Sequence, residues 1–103
     1  MYQTGTTPAK AGTKNDSGKL RWDLVDYKSM ESMVASLTFG VAKYEENNWQ
    51  KVDNPKDRYF AAIMRHIVAW RNGEKVDEDG QSHLGAVMAN AMFLDYFDRQ
   101  EGK

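Results

Sequence analysis

Apolar residues recur at helical spacing in three stretches of the chain, and polar loops separate these stretches. The first runs from Lys28 to about Glu46 and places its apolar residues along one helical face: Met30, Met33, Val34, Leu37, Val41 and Tyr44. This pattern predicts an amphipathic helix. Gly40 within it costs about 1 kcal/mol relative to alanine unless a neighbouring segment packs closely there.

The second stretch has clear start and stop signals. Asn54 is a suitable cap, Pro55 suits the first helical turn and Asp57 follows it, while Gly73 is a natural stop. Between these signals the apolar face consists of Phe60, Ile63, Ile67 and Trp70. The sequence therefore predicts a second helix that begins at Pro55 and ends before Gly73.

The third stretch predicts a helix that Ser82 caps and that runs to about Arg99. From Leu84 to Leu94 every residue except Asn90 is apolar or glycine, so this helix has no solvent face over that span. A helix that is apolar all round is buried on several sides, and three helices of one chain can hardly cover it. We therefore expect an all-α, up-down bundle of three main helices completed by homo-oligomerisation, as a dimer or tetramer.

The region before the first helix has a different composition. Residues 1–18 contain almost nothing to bury and predict a flexible N-terminal arm, which leaves residues 19–103 as a single domain. Leu20, Trp22, Leu24 and Val25 nearly alternate with polar residues. This spacing is compatible with a short extended segment laid against the core, although periodicity alone does not decide it.

Composition excludes several classes of protein. The chain has 103 residues, of which 41% are apolar, and this suits one domain with one core. Its net charge of -1 gives no reason to expect a nucleic-acid polymer as partner. The absence of cysteine excludes disulfides, thiolate catalysis and zinc-finger ligation. No apolar run predicts a membrane span or a signal peptide, so we expect a cytoplasmic protein, in the host cytoplasm if a phage encodes it.

An acidic loop follows the second predicted helix. Short connections make the three helices antiparallel neighbours, so the start of the first, the end of the second and the start of the third gather at one end of the bundle. Glu31, Glu74, Asp77 and His83 are then expected to converge there. Carboxylates in such a group suit Mg²⁺, which retains waters and binds substrate phosphates. The alternative is a solvated polar loop, and spacing alone leaves both open.

Other polar residues also permit two interpretations. His66 lies at the edge of an apolar stripe, where a histidine is either a hydrogen-bonded core residue or a ligand. Asn90 must find a hydrogen-bond partner, because an unsatisfied buried amide costs about 1–3 kcal/mol; it either fixes helix register or contacts a substrate. Trp49 either stacks on a base or plugs the end of the bundle. Four basic residues either hold phosphates or are ordinary surface charges: Lys19, Arg21, Lys43 and Arg65.

Several longer strings resemble a known family. They are "GKLRWDLVDYKSMESM", "LTFGVAKYEENNW", "YFAAIMRHIVAW" and "GEKVDEDGQSHLGAVMANAMFL", in this order, from about Gly18 to Phe97. The chain resembles the dATP/dGTP diphosphohydrolases of phages and bacteria, which are related to the MazG-like all-α NTP pyrophosphatases. The Glu74-Lys-Val-Asp77 string resembles the Glu-x-x-Asp half of the MazG-type metal motif. The Glu-x-x-Glu half is missing, since Val34 lies three residues after Glu31, and Ala86 stands where many relatives have a second histidine.

The resemblance implies Mg²⁺- or Mn²⁺-dependent hydrolysis of a purine deoxynucleoside triphosphate to the monophosphate and pyrophosphate. It implies Glu31, Glu74 and Asp77 as metal ligands, with His83 completing the catalytic group, while Glu78 and Asp79 stay solvated. The expected substrate-binding residues are Lys19, Arg21, Lys43, Asn48, Trp49, Arg65, His66 and Asn90. The missing Glu-x-x-Glu half supports an alternative, a non-catalytic protein that binds or sequesters nucleotides on the same helical scaffold.

Overall fold

The protein is described by a computed structural model, and residues 12–102 are placed well enough to describe. They form three helices: α1 (Tyr27–Lys43), α2 (Pro55–Arg71) and α3 (His83–Glu101). Two single turns of 3₁₀-helix, Trp22–Leu24 and Asn48–Gln50, precede α1 and α2. These residues contain no strand beyond one isolated bridge between Val76 and Ser82. The predicted all-α fold is confirmed, while most of the predicted N-terminal arm, residues 1–11, lies outside the described residues.

The helix boundaries follow from local chemistry. At α3, the Ser82 hydroxyl accepts a hydrogen bond from the Gly85 amide at 3.0 Å, so the predicted cap is confirmed. At α2, Asn54 precedes the helix as predicted, but its side chain bonds no amide. It instead adopts a left-handed conformation with φ 48°, which asparagine tolerates better than most residues. The prediction that the first helix reaches Glu46 is wrong, because the backbone becomes extended at Tyr44.

Helix α3 packs against both α1 and α2. It approaches α1 so closely that a Cβ atom on Gly85 would lie 2.7 Å from the carbonyl carbon of Ser32. Ala86, the next residue, and Ala89, about one turn further along α3 than Gly85, are buried. Small side chains on α3 therefore allow the backbones of α1 and α3 to come together.

An aromatic cluster covers the C-terminal half of α3. The Trp49 ring stacks on Phe93 with a centroid separation of 4.5 Å, and it meets Tyr96 edge-on at 4.9 Å. Tyr59 of α2 also packs against Phe93, and its hydroxyl donates to the Trp49 carbonyl at 2.8 Å. Of the two interpretations of Trp49, the structure favours the plug, since one face of the indole is already occupied by Phe93.

Much apolar surface nevertheless stays exposed in the single chain. Within residues 12–102, the buried apolar side chains are those of Ala86 and Ala89 only. The segment before α1, for which an extended strand against the core was one possibility, instead forms the Trp22–Leu24 turn, and Leu20, Trp22 and Leu24 are 80%, 65% and 71% exposed. A monomer of this size rarely exposes so many large apolar side chains, so this surface is suited to a partner.

The described helices also bear on membrane insertion. None of them combines the length and the apolar character that crossing a bilayer requires.

Candidate functional site

The two histidines of the chain meet where the C-terminal half of α2 faces the start of α3. The Nδ1 atoms of His66 and His83 are 2.9 Å apart, and the His83 ring is buried. The buried Nε2 atom of His83 has no hydrogen-bond partner among the described residues, and the carboxylate Oε1 of Glu74 lies 3.6 Å from it. We call His66, Glu74 and His83 the histidine corner.

The histidine corner favours an uncharged His66. Burial lowers the pKa of His66 below its ordinary value of 6.5. Electrostatic interactions with His83 and Arg65 lower this pKa further, while the interaction with Asp77 opposes them. The contact between the two Nδ1 atoms also requires one donor and one acceptor, so both rings cannot be protonated while it exists. At neutral pH, His66 is therefore a base that is available to accept a proton.

Asp77 organises the acidic loop. Its Oδ1 atom accepts hydrogen bonds from the backbone amides of Asp79 and Gln81, both at 2.9 Å. The Asp77 amide in turn donates to the Gln81 carbonyl at 2.8 Å, and Gly80 supplies the left-handed residue of the turn at φ 78°. The loop is therefore built around one carboxylate oxygen of Asp77.

Glu31 does not join the histidine corner within one chain. Its side chain is 68% exposed and pairs with Lys28 of the same helix at 3.2 Å. Across residues 12–102, no group of three or more histidine or acidic side chains is arranged to hold a metal ion. The start of α1 does approach the start of α3, as expected, but through the backbone of Ser32 rather than through Glu31. In the single chain, Glu31, Glu74 and Asp77 therefore do not fit together around Mg²⁺.

A large cleft opens between α1, the Asn48–Gln50 turn, α2 and α3. Its volume is about 940 Å³, within the range of small-molecule sites. Four of the predicted substrate-binding residues line it together, although they come from three separate segments: Asn48, Trp49, Arg65 and Asn90. Leu37, Val41 and Phe93 supply apolar wall. This mixture of apolar wall and a few polar groups is typical of a ligand pocket.

Of the four basic residues predicted to bind phosphate, Arg65 is the one that lines the cleft. Its guanidinium makes no hydrogen bond or ion pair with the part of the chain that the structure describes. By contrast, Arg21 pairs with Asp23 at 2.7 Å, and Lys43 lies 3.9 Å from Asp79. Neither of these nor Lys19 contributes to the cleft wall. An unneutralised arginine in a cleft is suited to bind phosphate oxygens.

Asn90 finds a hydrogen-bond partner within its own helix, which fixes no register between helices, and its position permits contact with a substrate. Its Nδ2 atom donates to the Ala86 carbonyl at 2.8 Å, one turn earlier in α3. This bond satisfies the amide within its own helix. Because Asn90 also lines the cleft, its remaining hydrogen-bonding capacity is available to a ligand.

Sequence reasoning missed part of the cleft. Tyr59 and Arg58 of α2, Phe93 of α3 and the acidic pair Glu45 and Glu46 also line it. The signal that was overlooked is the early end of α1. Helix periodicity continues to Tyr44, but the helix ends at Lys43, and the segment that follows brings Glu45 and Glu46 to the cleft.

A family model described as dATP/dGTP diphosphohydrolase, N-terminal, matches residues 9–103. The chain belongs to this family. Comparison with curated proteins and with solved structures finds no match. The part matched to the dATP/dGTP diphosphohydrolase N-terminal region contains both the histidine corner and the cleft.

Proposed function

We propose that the chain binds a purine deoxynucleoside triphosphate in the cleft and hydrolyses it to the monophosphate and pyrophosphate. The observation that carries the proposal is Arg65, which has no ion-pair partner within residues 12–102 and lies in a cleft of about 940 Å³, in a member of a family described as dATP/dGTP diphosphohydrolases. A nucleoside triphosphate needs an apolar pocket for its base and a cation for its phosphates. The cleft offers both.

The cleft wall suggests how the nucleotide lies. Leu37, Val41 and Phe93 form a surface for the flat face of a base, and the amides of Asn48 and Asn90 offer donors and acceptors to its edge or to the sugar. Arg65 then neutralises part of the triphosphate charge. Trp49 contributes as fixed wall, since it is held by its stack on Phe93.

The histidine corner is our candidate for proton transfer. His66 follows Arg65 directly in α2, and His83 lies seven residues before Asn90, which is about 10 Å along a helix axis. In the hydrolysis, a water oxygen bonds to the α-phosphorus and the bridge to the β-phosphate breaks. The water must lose a proton, and the neutral His66 ring, in contact with His83, is a base that can accept it.

Mg²⁺ or Mn²⁺ belongs to the proposal on the resemblance alone. When bound, such an ion neutralises polyphosphate charge. Because Glu31, Glu74 and Asp77 do not gather in one chain, we assign no step to the ion. The expected result is that millimolar Mg²⁺ or Mn²⁺ raises the melting temperature of the wild type at matched ionic strength. If potassium chloride without any divalent cation raised the melting temperature equally at the same ionic strength, the effect would be screening by salt.

The rival function is nucleotide binding without hydrolysis. It is favoured by the role of Asp77, whose carboxylate oxygen is occupied by two backbone amides of its own loop. Under this alternative the cleft and Arg65 bind the nucleotide, and the acidic loop is structural. The two functions differ in products rather than in binding.

Product analysis separates the two functions. The protein is incubated with each deoxynucleoside and ribonucleoside triphosphate, with Mg²⁺ or Mn²⁺, and the products are resolved by anion exchange. We expect dATP or dGTP to yield monophosphate and pyrophosphate in equal amounts. Diphosphate and phosphate would contradict the proposed reaction, and binding of an intact nucleotide without turnover would establish the rival.

A further inference from the structure

The backbone of the acidic loop holds a carboxylate beside the buried ring of His83. The His83 amide donates to the Lys75 carbonyl at 3.0 Å, and Val76 and Ser82 form the isolated bridge that closes the loop. Glu74, the residue before Lys75, is therefore placed next to the His83 ring. Its Oε1 atom lies 3.6 Å from the buried Nε2 atom, which makes no hydrogen bond with any residue of the range 12–102.

The contact between His66 and His83 is compatible with two arrangements of protons. In the first, His83 carries its proton on Nε2, towards Glu74, and its Nδ1 atom accepts a hydrogen bond from the Nδ1–H group of His66. In the second, His83 is protonated on Nδ1, and the lone pair of its Nε2 atom faces the carboxylate. An ionised carboxylate only accepts hydrogen bonds, so the second arrangement leaves a buried acceptor next to another acceptor. The first arrangement gives every one of these atoms a suitable partner.

We propose that Glu74 accepts a hydrogen bond from the Nε2–H group of His83 and thereby fixes the tautomers of both histidines, rather than serving as a ligand of a divalent cation. The Glu74 side chain is 68% exposed and free to rotate, so a small movement brings its oxygen from 3.6 Å into hydrogen-bond range. The other two residues of the implied metal site are engaged elsewhere. Glu31 pairs with Lys28, and one carboxylate oxygen of Asp77 accepts two amides of its own loop.

The proposed tautomers leave the Nε2 lone pair of His66 available as a base. In the proposed hydrolysis, on which this consequence rests, the attacking water gives its proton to that nitrogen while its oxygen bonds to the α-phosphorus and the bridge to the β-phosphate breaks. The His66 ring then becomes positive. Its Nδ1–H group points to His83, whose Nε2–H group points to the Glu74 carboxylate, so the negative charge stabilises the new cation through the intervening ring. Glu74 and His83 are then positioning residues for His66.

Nitrogen NMR reports the two tautomers directly in the unsubstituted protein. The chain has only two histidines, so His66→Gln is sufficient to assign their signals. Long-range proton–nitrogen correlation is recorded on the ¹⁵N-labelled protein at about pH 8, where a neutral histidine is expected. We expect His83 to be protonated on Nε2 and His66 on Nδ1, with and without millimolar Mg²⁺. Protonation of His83 on Nδ1, or loss of its Nε2 proton when Mg²⁺ is added, would overturn the proposal.

Three substitutions in the acidic loop give a second measurement. Glu74→Ala removes the acceptor, Glu74→Gln keeps an oxygen that accepts the same hydrogen bond, and Glu78→Ala removes a neighbouring exposed carboxylate as the control. We expect Glu74→Ala to alter both tautomers and to lower kcat at least about tenfold. KM should change little, since Glu74 does not line the cleft. Glu74→Gln should keep the tautomers and more of kcat, and Glu78→Ala should match the wild type.

Two results with these variants would overturn the role of Glu74. One is a Glu74→Ala variant with wild-type tautomers. The other is a Glu74→Gln variant as impaired as Glu74→Ala, which is the result expected of a metal ligand, because a neutral amide is a poor substitute for a carboxylate there. The expected tautomers in a wild type that hydrolyses no nucleotide would overturn the proposed function and leave the assignment of Glu74 standing.

Discussion

His66 is expected to make the stability of the folded chain depend on pH. Since burial and the adjacent His83 hold its pKa below 6.5, the unfolded chain binds a proton at a higher pH than the native chain does. The stability that a neutral His66 contributes is therefore present above about pH 6.5 and is lost as the pH falls through the lowered native pKa.

Urea unfolding at about pH 7.5 and about pH 5.5 measures this loss. We expect the wild type to lose more of its free energy of unfolding on acidification than His66→Gln does, because glutamine has no proton to bind. Equal losses in the two proteins would mean that His66 titrates normally.

Asp77 is expected to stabilise the acidic loop through its oxygen rather than its charge. Asp77→Ala removes the acceptor of two amide bonds and should lower the free energy of unfolding by about 1 kcal/mol. Asp77→Asn keeps an oxygen at that position and should lose less. Asp79→Ala is the control, because the exposed Asp79 side chain supports no loop amide. Thermal denaturation that ranks Asp79→Ala as the most damaging of the three would contradict this assignment.

The Asp77 variants also bear on catalysis. Since Asp77→Asn preserves the loop, a loss of turnover in that variant reports on the carboxylate charge itself. This separates a metal ligand from a loop residue without relying on stability.

At the residue scale, the sequence predicted local interactions better than long-range ones. The Ser82 cap and the need of Asn90 for a partner were predictable, because both are satisfied within four residues. The orientation of the Glu31 side chain was not predictable, since Glu31 forms an ion pair with Lys28 one turn earlier in α1. Arg65, one of four basic residues considered as phosphate ligands, lines the cleft because of how α1 and α2 are arranged, which no local pattern encodes.

At the scale of helices, the contact between α1 and α3 depends on Gly85. A methyl group there would overlap the carbonyl of Ser32, so the two backbones must separate. We expect Gly85→Ala to lower the free energy of unfolding by about 1–3 kcal/mol, as overpacking generally does. Denaturant unfolding followed by circular dichroism provides the measurement.

Gly40→Ala is the matched control for Gly85→Ala. Both are glycines inside helices, but a Cβ atom on Gly40 would meet nothing within 4 Å. The higher helix propensity of alanine should then stabilise α1 by up to about 1 kcal/mol. If both substitutions had the same effect, the close approach at Gly85 would not be the cause.

Apolar periodicity predicted all three helices and the all-α class, because each helix carries its own repeat and its own end signals. It placed the end of α1 too late, at Glu46, since the repeat in α1 continues to Tyr44 while the backbone already departs from the helix there. The apolar stretch of α3 was expected to need a partner chain. In the structure α1 and α2 both pack against α3, and Trp49 and Tyr59 pack on Phe93 near the end of this stretch. The exposed large apolar residues lie mainly on α1, α2 and the segment before α1.

At the scale of the whole molecule, seven of the predicted site residues form two groups rather than one. Asn48, Trp49, Arg65 and Asn90 meet in the cleft, and His66, Glu74 and His83 meet in the histidine corner. This division could not be predicted from the sequence, because the cleft forms between α1 and α2 only when both helices pack against α3. A nucleotide that extends from the cleft towards the corner would join the two groups.

The central claim is that this cleft binds a purine deoxynucleoside triphosphate. Isothermal titration of dATP and dGTP into the wild type, Arg65→Gln and Arg71→Gln tests it directly, since both arginines lie on α2 and Arg71 is outside the cleft wall. We expect Arg65→Gln to weaken binding by at least about tenfold, which corresponds to about 1.4 kcal/mol, while Arg71→Gln binds like the wild type. Equal affinities in all three proteins, or no binding by the wild type, would contradict the account.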